Sequence, residues 1–351
     1  MPAKPLLLAL CVALSAVPAG AVVILDSTWK QEGGTPKKPG AGFGAHIRLA
    51  NQPQFSGLVS FSSDGESWGE ASGTWIGNDD KHAYILTAGH VYELPAKADD
   101  YVVRSPSGKT LKVDKVWTHP RWNGDLESRS GFDLAIVRLE KPIMDAGQPP
   151  LLYRGEGEAG QLITFVGFGT RGIGSKGEDE RYNEGTGKAA AQGIVDEWTD
   201  LDRQAGRNGD AGNFLGVYLP REDGKVENPF GGDTRPASPL VGLLGAGDSG
   251  GSAWLQIEGK WVIVGVNSNG DGNAQYGDAS WFTRVSPHGD WIARIFPGAR
   301  FTEDSTPETT DTVEVRPSRS KRAGSGSNSG GEDSGGGSNN VRPATQGVKG
   351  N

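Results

Sequence analysis

Short β-branched and aromatic runs recur from Leu58 to Val285, and clusters of Gly, Pro, Asn and Asp close nearly all of them. They stand at residues 58–61, 74–76, 83–86, 101–104, 110–117 and 134–139, then at 162–167, 215–219, 253–257, 261–266 and 280–285. Brief strands repeating with turn signals predict barrels or sandwiches rather than alternating β and α units. The chain's 55 glycines fit the many tight turns such a fold needs. Only residues 287–296 read as a helix, with Trp291, Ile292 and Ile295 on one face. Residues 172–239 are polar and glycine-rich and are expected to form extended surface loops.

Residues 1–21 read as a secretory signal peptide. Lys4 supplies the positive start, 6–17 the apolar stretch, and Ala19-Gly20-Ala21 a small-residue cleavage site. The apolar run falls short of the roughly 20 residues that span a bilayer, so no stable membrane insertion is expected. The one cysteine, Cys11, lies inside this leader. An exported chain without it has no thiol for catalysis, metal binding or disulfides. About 280 residues (22–301) can still bury a core without staples. From residue 302 the sequence turns to Gly, Ser, Asn and charge, too poor in apolar groups to offset ordering, and is expected to be a disordered tail. The expected organisation is a leader (1–21), an N-terminal segment (22–41), a folded domain (42–301) and that tail (302–351).

The formal net charge is −8, and −9 once Lys4 is removed. An acidic, exported chain without a basic cluster is a poor partner for nucleic acid. The expected location is extracytoplasmic, secreted or periplasmic.

Three segments carry chemistry. Leu86-Thr87-Ala88-Gly89-His90 ends an apolar strand and follows Gly73-Thr74-Trp75-Ile76-Gly77. Phe132-Asp133-Leu134-Ala135 opens another apolar run 43 positions later, after Thr118-His119-Pro120-Arg121-Trp122. Gly247-Asp248-Ser249-Gly250-Gly251 precedes a third. A serine hydroxyl attacking a peptide carbonyl needs a base for its proton, a group to orient that base, and N–H donors for the forming oxyanion. One His, one Asp and one glycine-flanked Ser, each at a strand edge, supply those types.

Together the segments resemble the chymotrypsin/trypsin family of serine proteases over about residues 42–297, and their order His, Asp, Ser fits it. The resemblance implies two antiparallel six-stranded β-barrels, about 42–145 and 150–286, closed by a helix at 287–297. It implies His90 as general base, Asp133 as its orienting partner, Ser249 as nucleophile, and the amides of Gly247 and Ser249 as an oxyanion hole. His119 becomes a turn residue. Ser268 would support Asp133, and the main chain of Ser268 and Gly270 would bind substrate as an added strand. Leu243 would form the floor of the primary pocket, with Gly270 and Ser280 on its walls. A floor without an acid implies an apolar or small side chain at the cleavage position, with Asp271 and Asp278 near enough to alter this.

The chain departs from the family at the start. Many members bury a new Ile-Val-Gly-Gly amino terminus against the Asp before the nucleophile, here Asp248. Leader removal would expose Val22-Val23-Ile24, followed by an unmatched Leu25-Asp26, and an internal Arg is the alternative partner.

The expected activity is that of a monomeric endopeptidase acting on protein or peptide, without cofactor. A non-catalytic homologue serving as a binding module, and a serine esterase, are the alternatives. His46, His82 and His288 lack metal-ligand spacing, and the Asp/Gly-rich 269–278 stretch lacks that of a strong calcium site, so no metal is expected.

Overall fold

The computed structural model describes residues 21–126, 131–183, 187–199 and 213–302. The leader before Ala21 and the tail from 303 onward lie outside the described residues.

The first half closes as predicted. Six strands form a barrel in the order Leu58–Ser62, Ala71–Asn78, Ala83–Thr87, Ala135–Leu139, Thr110–Thr118 and Val102–Arg104, which returns to the first. Most are buried on both faces, because alternate side chains fill the barrel or meet the rest of the domain. Phe61, Ile85, Leu86, Ile136 and Val137 belong to one buried cluster. The outer Thr110–Thr118 strand instead turns Lys112, Asp114 and Lys115 to solvent.

The second half departs from the expected closed barrel. Its main sheet runs Ala189–Ile194, Leu162–Gly167, Ser252–Ile257, Lys260–Gly270, Ala279–Arg284, Phe214–Tyr218 and Glu197–Thr199. Leu151–Leu152 and Arg300–Phe301 complete its nine strands. A separate four-stranded sheet holds Gly177–Glu178, Gly172–Ile173, Val23–Ile24 and Gly242–Leu243, in that order. The 172–239 stretch is therefore not simply surface loop. It contributes buried strands to both sheets.

Residues 22–41 are likewise part of the fold. Val23 pairs with Gly172 on one side and Leu243 on the other, and Val22, Val23 and Ile24 are fully buried. Two short helices were not predicted, Asp26–Gln31 and Gly44–Ala50. The second packs on the Ala189–Ile194 strand, and His46 Nδ1 donates to Ala190 O at 2.7 Å. The predicted closing helix spans Gly289–Ile295. Its Trp291 and Ile292 join the first barrel's core, and Phe296 stacks on Tyr84 with ring centroids 4.2 Å apart.

Complete burial holds His46 neutral, lowering its pKa from 6.5 to about 4. The neutral ring's contribution is fully present above pH 6.5, and it fades as pH falls toward the folded-state value. Between pH 7 and 4 the wild type should lose on the order of 3 kcal/mol more stability than His46→Asn, which keeps a donor for Ala190 O. Urea titrations at the two pH values measure this. Equal losses would contradict it.

Candidate active site

Each motif sits where a strand ends. The Ala83–Thr87 strand delivers His90 in a 3-10 turn, Gly89–Val91. Asp133 lies just before Ala135–Leu139, which pairs with that strand, so the two residues are neighbours by sheet register. Ser249 lies in the turn entering Ser252–Ile257.

The three side chains form one chain of contacts. His90 Nδ1 lies 2.7 Å from Asp133 Oδ2, and His90 Nε2 lies 2.7 Å from Ser249 Oγ. The backbone N–H of His90 donates to Asp133 Oδ1 at 2.7 Å, and Ser268 Oγ donates to Oδ2 at 2.6 Å. Three donors thus converge on a carboxylate that is 2 % exposed. A carboxylate held this way keeps the Nδ1–H tautomer and leaves Nε2 to accept the serine proton.

The loop before Ser249 is fixed by its amides. Ala246 O accepts from Thr170 N at 2.6 Å. In a planar trans peptide the N–H points opposite to the C=O, so this contact turns the Gly247 N–H the other way. Gly247 has φ +93°, and a Cβ there would meet Gly69 O at 2.4 Å, so only glycine fits. Ser72 braces the far side, donating through Oγ to Gly247 O and through N to Ser249 O. Among the described residues, neither the Gly247 nor the Ser249 N–H has an acceptor within the protein. Two amides on either side of Asp248 are left to serve one incoming oxygen.

Asp248 is fully buried. Its donors are the backbone N–H groups of Gly169, Gly245 and Val22, at 2.8, 2.8 and 3.2 Å. Desolvation outweighs them and pushes its pKa from 3.8 up to about 7. The internal arginine nearest in effect, Arg171, feels the Asp248 charge but gives Nη2 to Gly187 O. Of the two partners left open by the sequence, the amino-terminal segment is the one that touches Asp248.

The Lys260–Gly270 strand bulges between Asn267 and Asn269, leaving Ser268 unpaired with the Ala279–Arg284 strand. That lets its hydroxyl turn to Asp133. Beside Ser249 a cleft of about 210 Å³ is lined by His90, Ser268 and Gly270, among others. Leu243 and Ser280 do not line it. Leu243 is fully buried in the second core, and Ser280 Oγ accepts from Leu244 N behind the wall. Leu243, expected at the pocket floor, pairs with Val23 in the small sheet. Asp271 does line the cleft, whereas Asp278 caps a turn by accepting from Gln275 N. Glu178, which carried no recognisable motif, also lines it.

A barrel-based fold that brings Ser249, His90 and Asp133 together at strand ends is the arrangement that the resemblance to trypsin-like peptidases implied. Residues 71–225 match the family model described as "Trypsin-like peptidase domain", a span that holds His90 and Asp133 and stops before Ser249. Among curated relatives, vitamin K-dependent protein C of Oryctolagus cuniculus is 24 % identical over 226 residues, covering 60 % of this chain and 44 % of its own. The Rattus norvegicus protein of the same name is 26 % identical over 223 residues, covering 60 % and 43 %. The chain thus spans less than half the length of these relatives. Family match and fold together show the resemblance to the chymotrypsin/trypsin peptidases. Among the described residues no helix is long and apolar enough to cross a membrane.

Proposed function

We propose that the chain is an exported serine endopeptidase that cleaves peptide bonds through an acyl-enzyme on Ser249. The observation that carries this reading is the unbroken contact Asp133–His90–Ser249, with both links at 2.7 Å. As Ser249 Oγ attacks the scissile carbonyl carbon, its proton passes to His90 Nε2. The N–H groups of Gly247 and Ser249 meet the oxyanion. The imidazolium, steadied by Asp133, then gives that proton to the departing amine. Water, deprotonated by the same nitrogen, releases the acyl group and restores the serine. Substrate backbone adds as a strand along Ser268 and Gly270. The preference for apolar or small residues inferred from Leu243 gains no support from the cleft's lining.

Removal of the leader at Ala21 would create the active form by putting an α-ammonium where the Val22 N–H now meets Asp248. Val22 supports this by its backbone: φ is +61°, a strained value for a β-branched residue, and φ ceases to exist once the preceding carbonyl is gone.

The purified chain starting at Val22 should take up one fluorophosphonate label and degrade casein, and Ser249→Ala should do neither. Labelling without casein cleavage would favour the esterase, and absence of labelling the binding module. The Ser252–Ile257 strand after the nucleophile, where an esterase elbow would place a helix, favours the peptidase.

A further inference from the structure

The Gly247 N–H is aimed by the residue before it. Ala246 lies between two tied peptides: its C=O accepts from Thr170 N at 2.6 Å, and its N–H donates to Glu178 Oε2 at 2.8 Å. These bonds fix the peptide planes on both sides of Ala246, and so the φ and ψ that direct the next N–H, that of Gly247. The two sides differ in their surroundings. Toward Thr170 the loop packs backbone on backbone, and a Cβ on Gly169 would meet Ala246 O at 2.7 Å. On the other side Ala246 is exposed, and among the described residues Glu178 is what holds its N–H. Glycine adopts either sign of φ, so the 246–247 peptide turns over readily at Gly247 (φ +93°) once its neighbour is released. Turned over, it would present a carbonyl where the oxyanion needs a donor.

Glu178 is placed for this by the small sheet and not by the strands that carry the three motifs. It pairs with Gly172, and its own N–H donates to Asn273 O at 3.0 Å. The side chain is half-buried. Burial pushes its carboxyl pKa up, and the Ala246 N–H opposes the shift. In either protonation state an oxygen remains to accept from Ala246. A full negative charge so near the hole would repel the forming oxyanion. What the residue contributes is therefore an acceptor at a fixed place, not a charge.

We propose that Glu178 is a positioning residue of the oxyanion hole: by accepting from Ala246 it keeps the Gly247 N–H turned into the cleft. The inference rests on the peptidase reading of Ser249, and adds to it a side chain from outside the three motif segments. Glu178 touches neither substrate nor the reacting atoms in this role. It acts through one backbone N–H.

The test compares the chain starting at Val22 with its Glu178→Gln and Glu178→Leu variants, each titrated to completion with a fluorophosphonate so that rates refer to competent sites. Glu178→Leu should lower kcat for a fluorogenic peptide by about 10- to 100-fold, with KM within about threefold. That is less than the roughly 10²- to 10³-fold cost of deleting an oxyanion donor outright, because the donor remains and only its aim is loosened. A peptidyl aldehyde, whose hemiacetal oxygen enters the hole, should bind more weakly by the same factor as kcat/KM falls. Glu178→Gln keeps an acceptor oxygen and should stay within about threefold of the wild type in both kcat and aldehyde affinity. A backbone ester at position 246, made by incorporating lactic acid, deletes the donor while leaving Glu178 in place. It should reproduce the loss seen with Leu, and it carries the test if the Leu variant does not fold. A Leu variant or an ester that keeps kcat, or loses only in KM, overturns the proposal alone, as does a Gln variant that falls as far as Leu. Wild-type protein that neither labels nor cleaves any peptide overturns the peptidase reading and this inference with it.

Discussion

Ser249→Ala should lower turnover of a peptide substrate by on the order of 10⁵- to 10⁶-fold, a range set by related catalytic serines. The variant removes one oxygen and leaves the amides of Gly247 and residue 249 in place. What survives is binding and oxyanion stabilisation, worth about 10³ to 10⁴ over water. His90→Ala should cost about as much, and the double variant little more, because the two groups perform one proton transfer. Asp133→Asn should cost about 10⁴ by a different route. Its amide turns a donor toward His90 Nδ1 and so favours the tautomer with Nε2 already protonated, unable to take the serine proton. Ser268 Oγ, which donates to the same Oδ2, loses its acceptor, while the His90 N–H keeps Oδ1. Steady-state kinetics with active-site titration measure these losses. A Ser249→Ala chain within tenfold of the wild type would remove the basis for the account.

The second large effect lies at the amino terminus. A chain beginning at Val22 should cleave about 10²- to 10³-fold faster than one that keeps residues before it, the scale of losing an oxyanion donor. The reason is local. Gly247 and Ser249 flank Asp248, so whatever seats the Asp248 carboxylate aims both amides. In the uncleaved chain a neutral N–H at 3.2 Å meets a carboxyl whose pKa is pushed up to about 7. Freed, the same nitrogen carries a charge.

The pH dependence follows with a definite sign. A raised folded-state pKa on Asp248 means that the uncleaved chain loses stability as pH climbs from about 4 to 7, by roughly 4 kcal/mol. In the cleaved chain the α-ammonium holds Asp248 ionised and removes that loss. The pair persists until the amine, its own pKa raised by the partner, deprotonates above its ordinary value of about 8. Melting temperatures of the two forms should therefore coincide near pH 4 and separate most between pH 7 and 8, with the cleaved form higher. Acetylating the Val22 amine should return both activity and stability to the uncleaved level. An acetylated chain as active as the free one would refute the ammonium.

The sequence made the first barrel legible because its strands are built from β-branched and aromatic residues with plain turn signals. It made His90, Asp133 and Ser249 legible because each is bound to a strand end that register then brings together. The second half was harder. Ala189–Ile194 reads Ala-Ala-Ala-Gln-Gly-Ile, with little intrinsic strand preference, and is strand because small side chains let the Gly44–Ala50 helix approach. The pairing of Leu243 with Val23 was not legible because counting along a motif does not say which side of a sheet a residue faces. Val23–Ile24 as a central strand, and Glu178 at the cleft, depend on contacts across hundreds of positions that no local pattern records.

The most direct test of Ser249 as nucleophile is intact-mass and peptide-mapping analysis of the Val22 chain quenched in acid during turnover of a slowly deacylating ester. One acyl group should appear, on the peptide containing Ser249, and vanish in Ser249→Ala. An acyl group on another residue, or one that persists in the variant, would contradict the attack by that serine.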